Sequence, residues 1–226
     1  METRQLIFLE SVFIILILNS CAPVYVPSVV NAPLLTNKGE VQAALHVGTS
    51  GIDPQFTYAP SNHIGMMLNG SFANNTSDST DNFHKHQFVE FGLGYFTNFS
   101  KRMKFETFGG IGSGKLQAEY DNNLWISKSN VNFTRFFIQP TIGFTTKIFD
   151  AGISSRFVLI NLHQESGSST GYFIEPVLTG KLGYDHLKGV MQVGLSYPLN
   201  SGKISFNNQP LLISLGIQTN FGKIFK

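Results

Sequence analysis

Apolar and polar residues alternate with a period of two over most of this chain, from about residue 40 to its end. In residues 89–95, for example, an apolar side chain at every odd position alternates with Glu90 or a glycine. Such alternation places one set of residues on each face of a β-sheet. No stretch after residue 37 has a convincing helical period. The chain is therefore predicted to be all-β.

Many of the alternating segments are longer than the usual strand of about 5–6 residues, and they suit tilted strands that cross a bilayer in about 9–11 residues. Ten strands are predicted, at residues 39–49, 52–59, 63–74, 84–97, 103–118, 130–148, 150–162, 171–183, 187–199 and 211–223. In lipid every backbone donor and acceptor must be paired internally, so such a sheet has to close on itself. We therefore expect a closed antiparallel up-and-down transmembrane β-barrel of about ten strands, with eight as the alternative.

The connections between the predicted strands differ in length. From the second strand onward, short connections such as residues 60–62 and 98–102 alternate with longer polar ones at residues 74–83, 120–129, 163–170 and 200–210. Outer-membrane barrels have short periplasmic turns and longer extracellular loops. An even number of strands puts both chain ends on the short-turn side, so periplasmic N- and C-termini are expected.

The composition excludes several classes of protein. Charged residues make up only 13% of the 226 residues, against about 25% in ordinary soluble domains. The net charge of +2, without any Lys/Arg-rich stretch, argues against a nucleic-acid partner. An apolar content of 42% argues against disorder, and one cysteine rules out a disulfide framework or a multi-cysteine metal site. No cofactor is predicted.

The N-terminus has the features of a targeting segment. An apolar stretch from Leu6 to Leu18 follows a short charged start and is too short for a spanning helix of about 20 residues, so residues 1–20 are predicted to be a signal peptide. The stretch ends in Leu18-Asn19-Ser20-Cys21, which resembles the lipobox of bacterial lipoproteins. The resemblance implies that Cys21 is acylated and becomes the new N-terminus.

Residues 21–37 follow the lipobox and contain Pro23, Pro27 and Pro33 without any sustained periodicity. Because proline favours extended backbone outside a hydrogen-bonded ladder, this segment is predicted to be a tether between the lipid anchor and the barrel. Several acyl chains on Cys21, at about 0.8 kcal/mol per buried CH₂, would anchor the protein durably.

The lipobox, the barrel-length alternating strands and the C-terminal alternation that runs to Phe221 and then Phe225 together resemble the small lipid-anchored outer-membrane β-barrel proteins of Gram-negative bacteria. The resemblance implies a barrel domain over residues 38–226 and a place in the outer membrane. It also implies that outer-membrane lipid, the barrel-assembly machinery and the lipoprotein-sorting machinery are the partners. It implies no substrate.

Charged and amide side chains alternate with the apolar residues of several strands. Arginine or lysine facing lipid at mid-bilayer costs about 2–4 kcal/mol, so these side chains are predicted to face the lumen. They are Glu90, Lys104, Glu106, Arg135, Gln139, Arg156, Glu175 and Lys181. We expect an internal network of salt bridges that plugs a narrow barrel, and the alternative is a small polar pathway.

Candidate catalytic and metal-binding motifs are weak. His84 and His86 share one face of a strand, but no third ligand is identifiable, and Asp185-His186 lies in a predicted turn where the two side chains diverge. No serine-nucleophile motif occurs. The sequence therefore predicts a non-enzymatic barrel with a structural, surface-interaction or narrow-transport role. The alternatives are a membrane-embedded hydrolase or acyltransferase, and a lipid-anchored soluble β-sandwich or lipocalin-like binding protein.

Pro140 and Pro176 fall inside predicted strands, in the similar contexts Phe-Ile-Gln-Pro and Phe-Ile-Glu-Pro. Proline cannot donate to a β-ladder and is usually confined to edges or bulges. A β-bulge is therefore predicted at each of these two positions.

Overall fold

The fold is described from a computed structural model that covers residues 23–76, 83–121, 126–164, 167–184, 186–200 and 206–223. The predicted signal peptide and Cys21 lie outside these residues. The strands are β1 (Val41–Gly48), β2 (Gly51–Tyr58), β3 (Ile64–Thr76), β4 (Phe83–Asn98), β5 (Met103–Asp121), β6 (Ile126–Thr145), β7 (Phe149–Gln164), β8 (Gly167–Tyr184), β9 (Leu187–Leu195), β10 (Tyr197–Pro198) and β11 (Leu211–Phe221). Within the described ranges, no helix combines the length and the hydrophobicity needed to span a membrane.

The strands form one closed sheet. Each strand from β1 to β8 pairs antiparallel with the next, β9 pairs with β11, and β11 pairs with β1. The two residues of β10 continue β9 and pair with β8 in the same register. We therefore count β9 and β10 as one strand of the barrel wall, called a stave below, and the wall has ten staves. This closure confirms the predicted ten-stranded antiparallel barrel over the alternative of eight strands. It also excludes the two-layered β-sandwich.

The barrel wall is much taller on one side than on the other. β5 and β6 have 19 and 20 residues, whereas β1 and β2 have 8 each. Residues predicted as the loop between the fifth and sixth strands are mostly strand, and only residues 122–125 separate β5 from β6. We call the end with residues 59–63 and 99–102 the short-turn end and the opposite one the long-loop end. The tall strands rise toward the long-loop end.

The outer face of the barrel is apolar and the inner face is largely polar. On β4, Val89, Phe91 and Leu93 are 41–52% exposed on the outside, whereas Glu90 between them is 2% exposed. On β11, outward residues from Leu211 to Phe221 span about 33 Å along the strand. At a strand tilt of about 40° this is about 25 Å of height, the thickness of the apolar band of outer-membrane barrels.

Two glycines on the inner face make room for aromatic rings. A Cβ atom on Gly94 would lie 2.4 Å from a ring carbon of Phe108, and one on Gly110 would lie 2.4 Å from a ring carbon of Phe137. Both phenylalanines are buried inside the barrel. The inner glycines therefore create space, and phenylalanine side chains fill it.

The bulges predicted at Pro140 and Pro176 are wrong. The register between β6 and β7 is the same on both sides of Pro140, and that between β8 and the β9–β10 stave is the same on both sides of Pro176. No residue is inserted; two rungs of the ladder are simply missing at each proline, which has no N–H to donate. Pro54 of β2 leaves the same two-rung gap against β3.

Candidate functional site: the lumen and its N-terminal segment

Residues 23–37, which we call the lumen segment, run through the inside of the barrel. Residues 25–35 are all buried, and Leu34 and Leu35 are completely inaccessible to solvent. Apart from Leu34, whose φ is 54°, the segment has no residue with a positive φ, and it lies outside the named strands, as its prolines predict. Its position differs from that of the tether expected from the sequence, because it fills the lumen and does not link the barrel to a distant anchor.

An extended segment without a β-ladder must find other partners for its backbone, because unpaired buried N–H and C=O groups are costly. In the lumen segment, the seven consecutive carbonyls of residues 28–34 each accept a hydrogen bond from a different side chain outside the segment. The donors are Arg156 to Ser28, Gln55 to Val29, Gln192 to Val30, Gln139 to Asn31, Lys181 to Ala32, Gln42 to Pro33 and Lys223 to Leu34, with N···O distances of 2.6–3.1 Å.

Backbone N–H groups of the lumen segment are matched in the same way. The N–H of Val30 donates to Gln192 Oε1 at 3.0 Å, so the Gln192 amide pairs with both polar groups of that residue. The N–H of Leu35 donates to Glu106 at 3.2 Å, and that of Thr36 donates to Glu40 at 2.8 Å. The inner side chains thus replace the water that would otherwise solvate this backbone.

Two arginines anchor the middle of the lumen. Arg156 binds Glu175 through Nε at 2.8 Å and through Nη2 at 2.7 Å, and Arg135 Nη2 lies 3.2 Å from Glu90. Both guanidinium groups also donate to the hydroxyl of Ser28, at 3.1 Å from Arg135 and 3.3 Å from Arg156. The two ion pairs, all four groups at most 2% exposed, therefore meet on one residue of the lumen segment.

A second ionic group lies nearer the short-turn end. Lys188 binds Asp150 at 2.8 Å, and Lys223 lies 3.7 Å from Glu40 and 3.9 Å from Asp150. Glu40 receives the N–H of Thr36 from the lumen segment. The charges of this group therefore hold the lumen segment at the point where it turns into β1.

Apolar contacts complete the fit of the lumen segment. A Cβ atom on Gly143 would lie 2.4 Å from a methyl of Leu34, and one on Gly65 would lie 2.7 Å from a methyl of Leu35. At the long-loop end, the ring of Tyr25 stacks on Phe173 with centroids 4.3 Å apart. The barrel therefore has room for this one extended chain and little else along that path.

All eight polar residues predicted to face the lumen are found inside the barrel. They are Glu90, Lys104, Glu106, Arg135, Gln139, Arg156, Glu175 and Lys181, each 0–2% exposed. Four of them form the two arginine–glutamate pairs, and Glu106, Gln139 and Lys181 bind the lumen segment directly. Lys104 lies at the short-turn end, where its Nζ is 3.3 Å from the carbonyl of Lys101.

Several residues of the site were not identified from the sequence. They are Glu40, Gln42, Gln55, Asp150, Lys188, Gln192 and Lys223. A signal was present: Gln42, Gln55 and Gln192 occupy inward positions of alternating strands, and a narrow barrel lined by long amides needs backbone acceptors inside it. The acceptors lie far from these residues in sequence, so the pairing itself could not be read from the pattern.

The two histidines at the long-loop end interact with each other. His84 Nε2 lies 2.8 Å from His86 Nδ1, and His86 Nε2 lies 2.9 Å from the hydroxyl of Ser71. Among the described residues, no group of three or more His, Cys, Asp or Glu side chains is placed to hold a metal ion. The order serine, histidine, histidine resembles an activated nucleophile. However, Ser71 is completely buried, so a substrate has no access to it in this arrangement.

His186 lies in the turn between β8 and β9, where its Nδ1 is 3.1 Å from the carbonyl oxygen of Asn220. Asp185, its neighbour in the predicted acid–histidine pair, lies outside the described residues.

The barrel resembles known outer-membrane barrels only distantly. No protein-family model and no curated protein matches the chain. One similar structure is the translocator domain of autotransporter NalP from Neisseria meningitidis, with 11% identity, a TM-score of 0.49, and coverage of 80% of this chain and 86% of that one. Outer membrane protease OmpT from Escherichia coli has 8% identity, a TM-score of 0.42, and coverage of 82% and 94%. The N-terminal β-barrel domain of Pseudomonas aeruginosa OprF has 8% identity, a TM-score of 0.35, and coverage of 82% and 98%.

Proposed function

We propose that this protein is a non-enzymatic outer-membrane lipoprotein whose β-barrel is closed by its own N-terminal segment, and that its role is structural or in surface interaction. The observation that carries the proposal is the row of seven carbonyls, in residues 28–34, that the surrounding side chains bind. Side chains occupied by the chain's own backbone are not available to line a solute path. The filled lumen therefore favours these roles over the narrow-transport role that the inward charges also allowed.

The apolar outer face supports a place in the membrane. Large hydrophobic side chains such as Leu178, Leu215 and Ile217 are 58–64% exposed there. A soluble protein rarely exposes a contiguous apolar surface larger than a few hundred Å². A soluble lipocalin-like binding protein would need its apolar residues inside, whereas in this barrel the middle of the lumen holds charges and amides. Insertion would use the barrel-assembly machinery, for which the last strand, ending at Phe221, has the expected pattern.

Replacing Leu93 by arginine tests the membrane location. Leu93 is 52% exposed on the outer face of β4, so Leu93→Arg should lower the free energy of unfolding in lipid by about 2–4 kcal/mol. Gln87→Arg is the matched control: Gln87 lies on the same face of the same strand but beyond the apolar residues, and we expect a change below about 0.5 kcal/mol. Urea titration of protein folded into vesicles measures both. Small, equal effects would mean that this face contacts water.

Lipid attachment is tested separately at Cys21. Cells that express the protein with its natural sequence should incorporate radiolabelled palmitate into it. The Cys21→Ala variant should lose the label because Cys21 is the only cysteine of the chain. Lipoprotein-sorting machinery would then act on the acylated form. Unchanged labelling of the variant would contradict acylation at this position.

The non-enzymatic part of the proposal is supported by the burial of the serine–histidine pair. Ser71 lies on the inner face of β3 with 0% of its surface exposed, although its hydroxyl is within hydrogen-bond distance of His86. A hydrolase or acyltransferase needs its nucleophile and base within reach of the substrate. Hydrolytic activity of the purified protein toward lipid esters that is lost in Ser71→Ala would contradict this part.

A further inference from the structure

The lumen segment crosses the barrel from one end to the other. At the short-turn end, Asn98 donates to the carbonyl of Thr36 at 2.9 Å, and Asn37 donates to the carbonyl of Gly222 at 2.7 Å. At the long-loop end, Tyr25 pairs with the connection that precedes β11. The N–H of Tyr25 donates to the carbonyl of Asn207 at 3.0 Å, and the carbonyl of Tyr25 accepts a hydrogen bond from the N–H of Gln209 at 2.8 Å. Pro23 therefore lies at the mouth opposite to the start of β1.

The distance along the chain from Pro23 to Cys21 is short. Cleavage before Cys21 would leave only Cys21 and Ala22 in front of Pro23. Two residues span at most about 7 Å, whereas β11, which runs between the same two ends of the barrel, rises about 25 Å at a tilt of about 40°. An acylated Cys21 consequently cannot reach the short-turn end while the lumen segment is in place.

We propose that the acyl chains on Cys21 are held at the long-loop end of the barrel, so that the protein is anchored in the outer leaflet at the cell surface. The inference rests on the proposed function, because it needs both the membrane and the acylated cysteine. It changes the expected topology: the C-terminal end of β11 lies at the periplasmic, short-turn end, whereas the N-terminus of the mature chain lies outside.

The shape of the rim fits an anchor at this position. Tyr25 lies beside residues 207–209, directly before β11, and the neighbouring wall is low: the β9–β10 stave ends at Pro198 and the β1–β2 hairpin turns between Gly48 and Gly51. Leu199, 57% exposed, lies at the same low edge, where its N–H donates to the carbonyl of Tyr172. Acyl chains that start near Pro23 therefore need to pass only a low rim to enter the lipid.

The tight fit of the lumen also orders the assembly steps. Leu34 and Leu35 are packed directly against Gly143 and Gly65, so a lipid-modified end cannot be pulled through a barrel that has already closed. The barrel must instead close around the segment after acylation. The acyl chains then reach the outer leaflet as part of barrel assembly.

The test uses full-length protein in cells and a recognition site for a sequence-specific protease inserted between Ala22 and Pro23. Protease added to intact, palmitate-labelled cells should remove nearly all label from the barrel, which remains in the membrane. The same site inserted between Ser61 and Asn62, at the short-turn end, should be cut only after the outer membrane is permeabilised. A site inserted within residues 77–82 reports whether the long-loop end faces outward.

The outcomes separate the inference from the proposed function. A site in residues 77–82 that is cut on intact cells, together with a site before Pro23 that is protected there, would overturn the surface anchor and leave the outer-membrane barrel standing. Protection of both sites would overturn the orientation and the anchor together. Pro23→Cys, which inserts no residue, gives a second measurement: it should react with a membrane-impermeant maleimide on intact cells, and Asn62→Cys should not. The opposite reactivity would overturn the inference.

Discussion

Removing residues 23–37 should convert a barrel that conducts no measurable ion current into one that conducts ions. In the intact chain, residues 25–35 are buried within the lumen and the side chains around them bind their backbone. Without the segment, the same glutamines, arginines and lysines would be solvated by water and ions, because a polar cavity that can hold a peptide chain fills with water. We expect no resolvable current steps from the intact protein in a planar bilayer and discrete steps from the shortened one.

Adding back a synthetic peptide of residues 23–37 is the control for this prediction. The peptide should suppress the current steps, since it carries the carbonyls that the inner side chains bind. Only preparations whose gel mobility changes on boiling, as expected of folded barrels, should be compared. A folded shortened barrel that stays silent, or an intact barrel that conducts, would contradict the view that this segment closes the lumen.

Arg156→Ala should lower the free energy of unfolding by about 3–5 kcal/mol, because it leaves the carboxylate of Glu175 without the ion pair it has with Arg156. The guanidinium group is fully buried; it binds Glu175 at 2.7 and 2.8 Å and donates to the carbonyl of Ser28 at 2.6 Å. The substitution therefore removes an anchor of the lumen segment as well as an ion pair. The midpoint of urea unfolding in lipid vesicles measures the effect.

Two further variants make this measurement specific. Arg102→Ala removes an exposed arginine near the short-turn end, whose guanidinium lies 5.9 Å from the ring centre of Phe144, and should cost less than about 0.5 kcal/mol. The double variant Arg156→Met with Glu175→Gln removes both charges and should recover most of the lost stability. A loss for Arg102→Ala as large as that for Arg156→Ala would mean that the buried pair has no special role.

The prolines show where local rules reach their limit. The sequence places Pro140 and Pro176 inside strands, and the general rule for proline predicts bulges. In the barrel the register continues unchanged, because the strand on the other side of each proline still pairs: Thr107 pairs with Pro140 and Ser155 pairs with Pro176. A long strand that pairs on both sides can lose two residue pairs on one side without a change of register. A rule that considers one strand alone does not predict this.

The lumen segment shows why only part of a candidate site can be predicted from the sequence. Alternation identifies Arg135, Arg156 and Glu175 as inward-facing, since the burial of every second residue is a local property of a strand. Ser28, the common partner of the two arginines, is more than 100 residues away from both in the chain. Residues 21–37 have the composition of an exposed linker, and the hydrogen-bonding partners of residues 28–33 come from strands spread around the barrel.

The amino-acid sequence alone determined the all-β class, a barrel of about ten strands and the inward side of Glu90, Arg135, Arg156 and the other five predicted lumen residues, because a strand's two faces are set by neighbours one and two positions apart. Only the tertiary structure decided that residues 23–37 enter the lumen. That choice depends on whether a closed ring of strands presents the right donor opposite each carbonyl, and this geometry exists only after β11 has paired with β1.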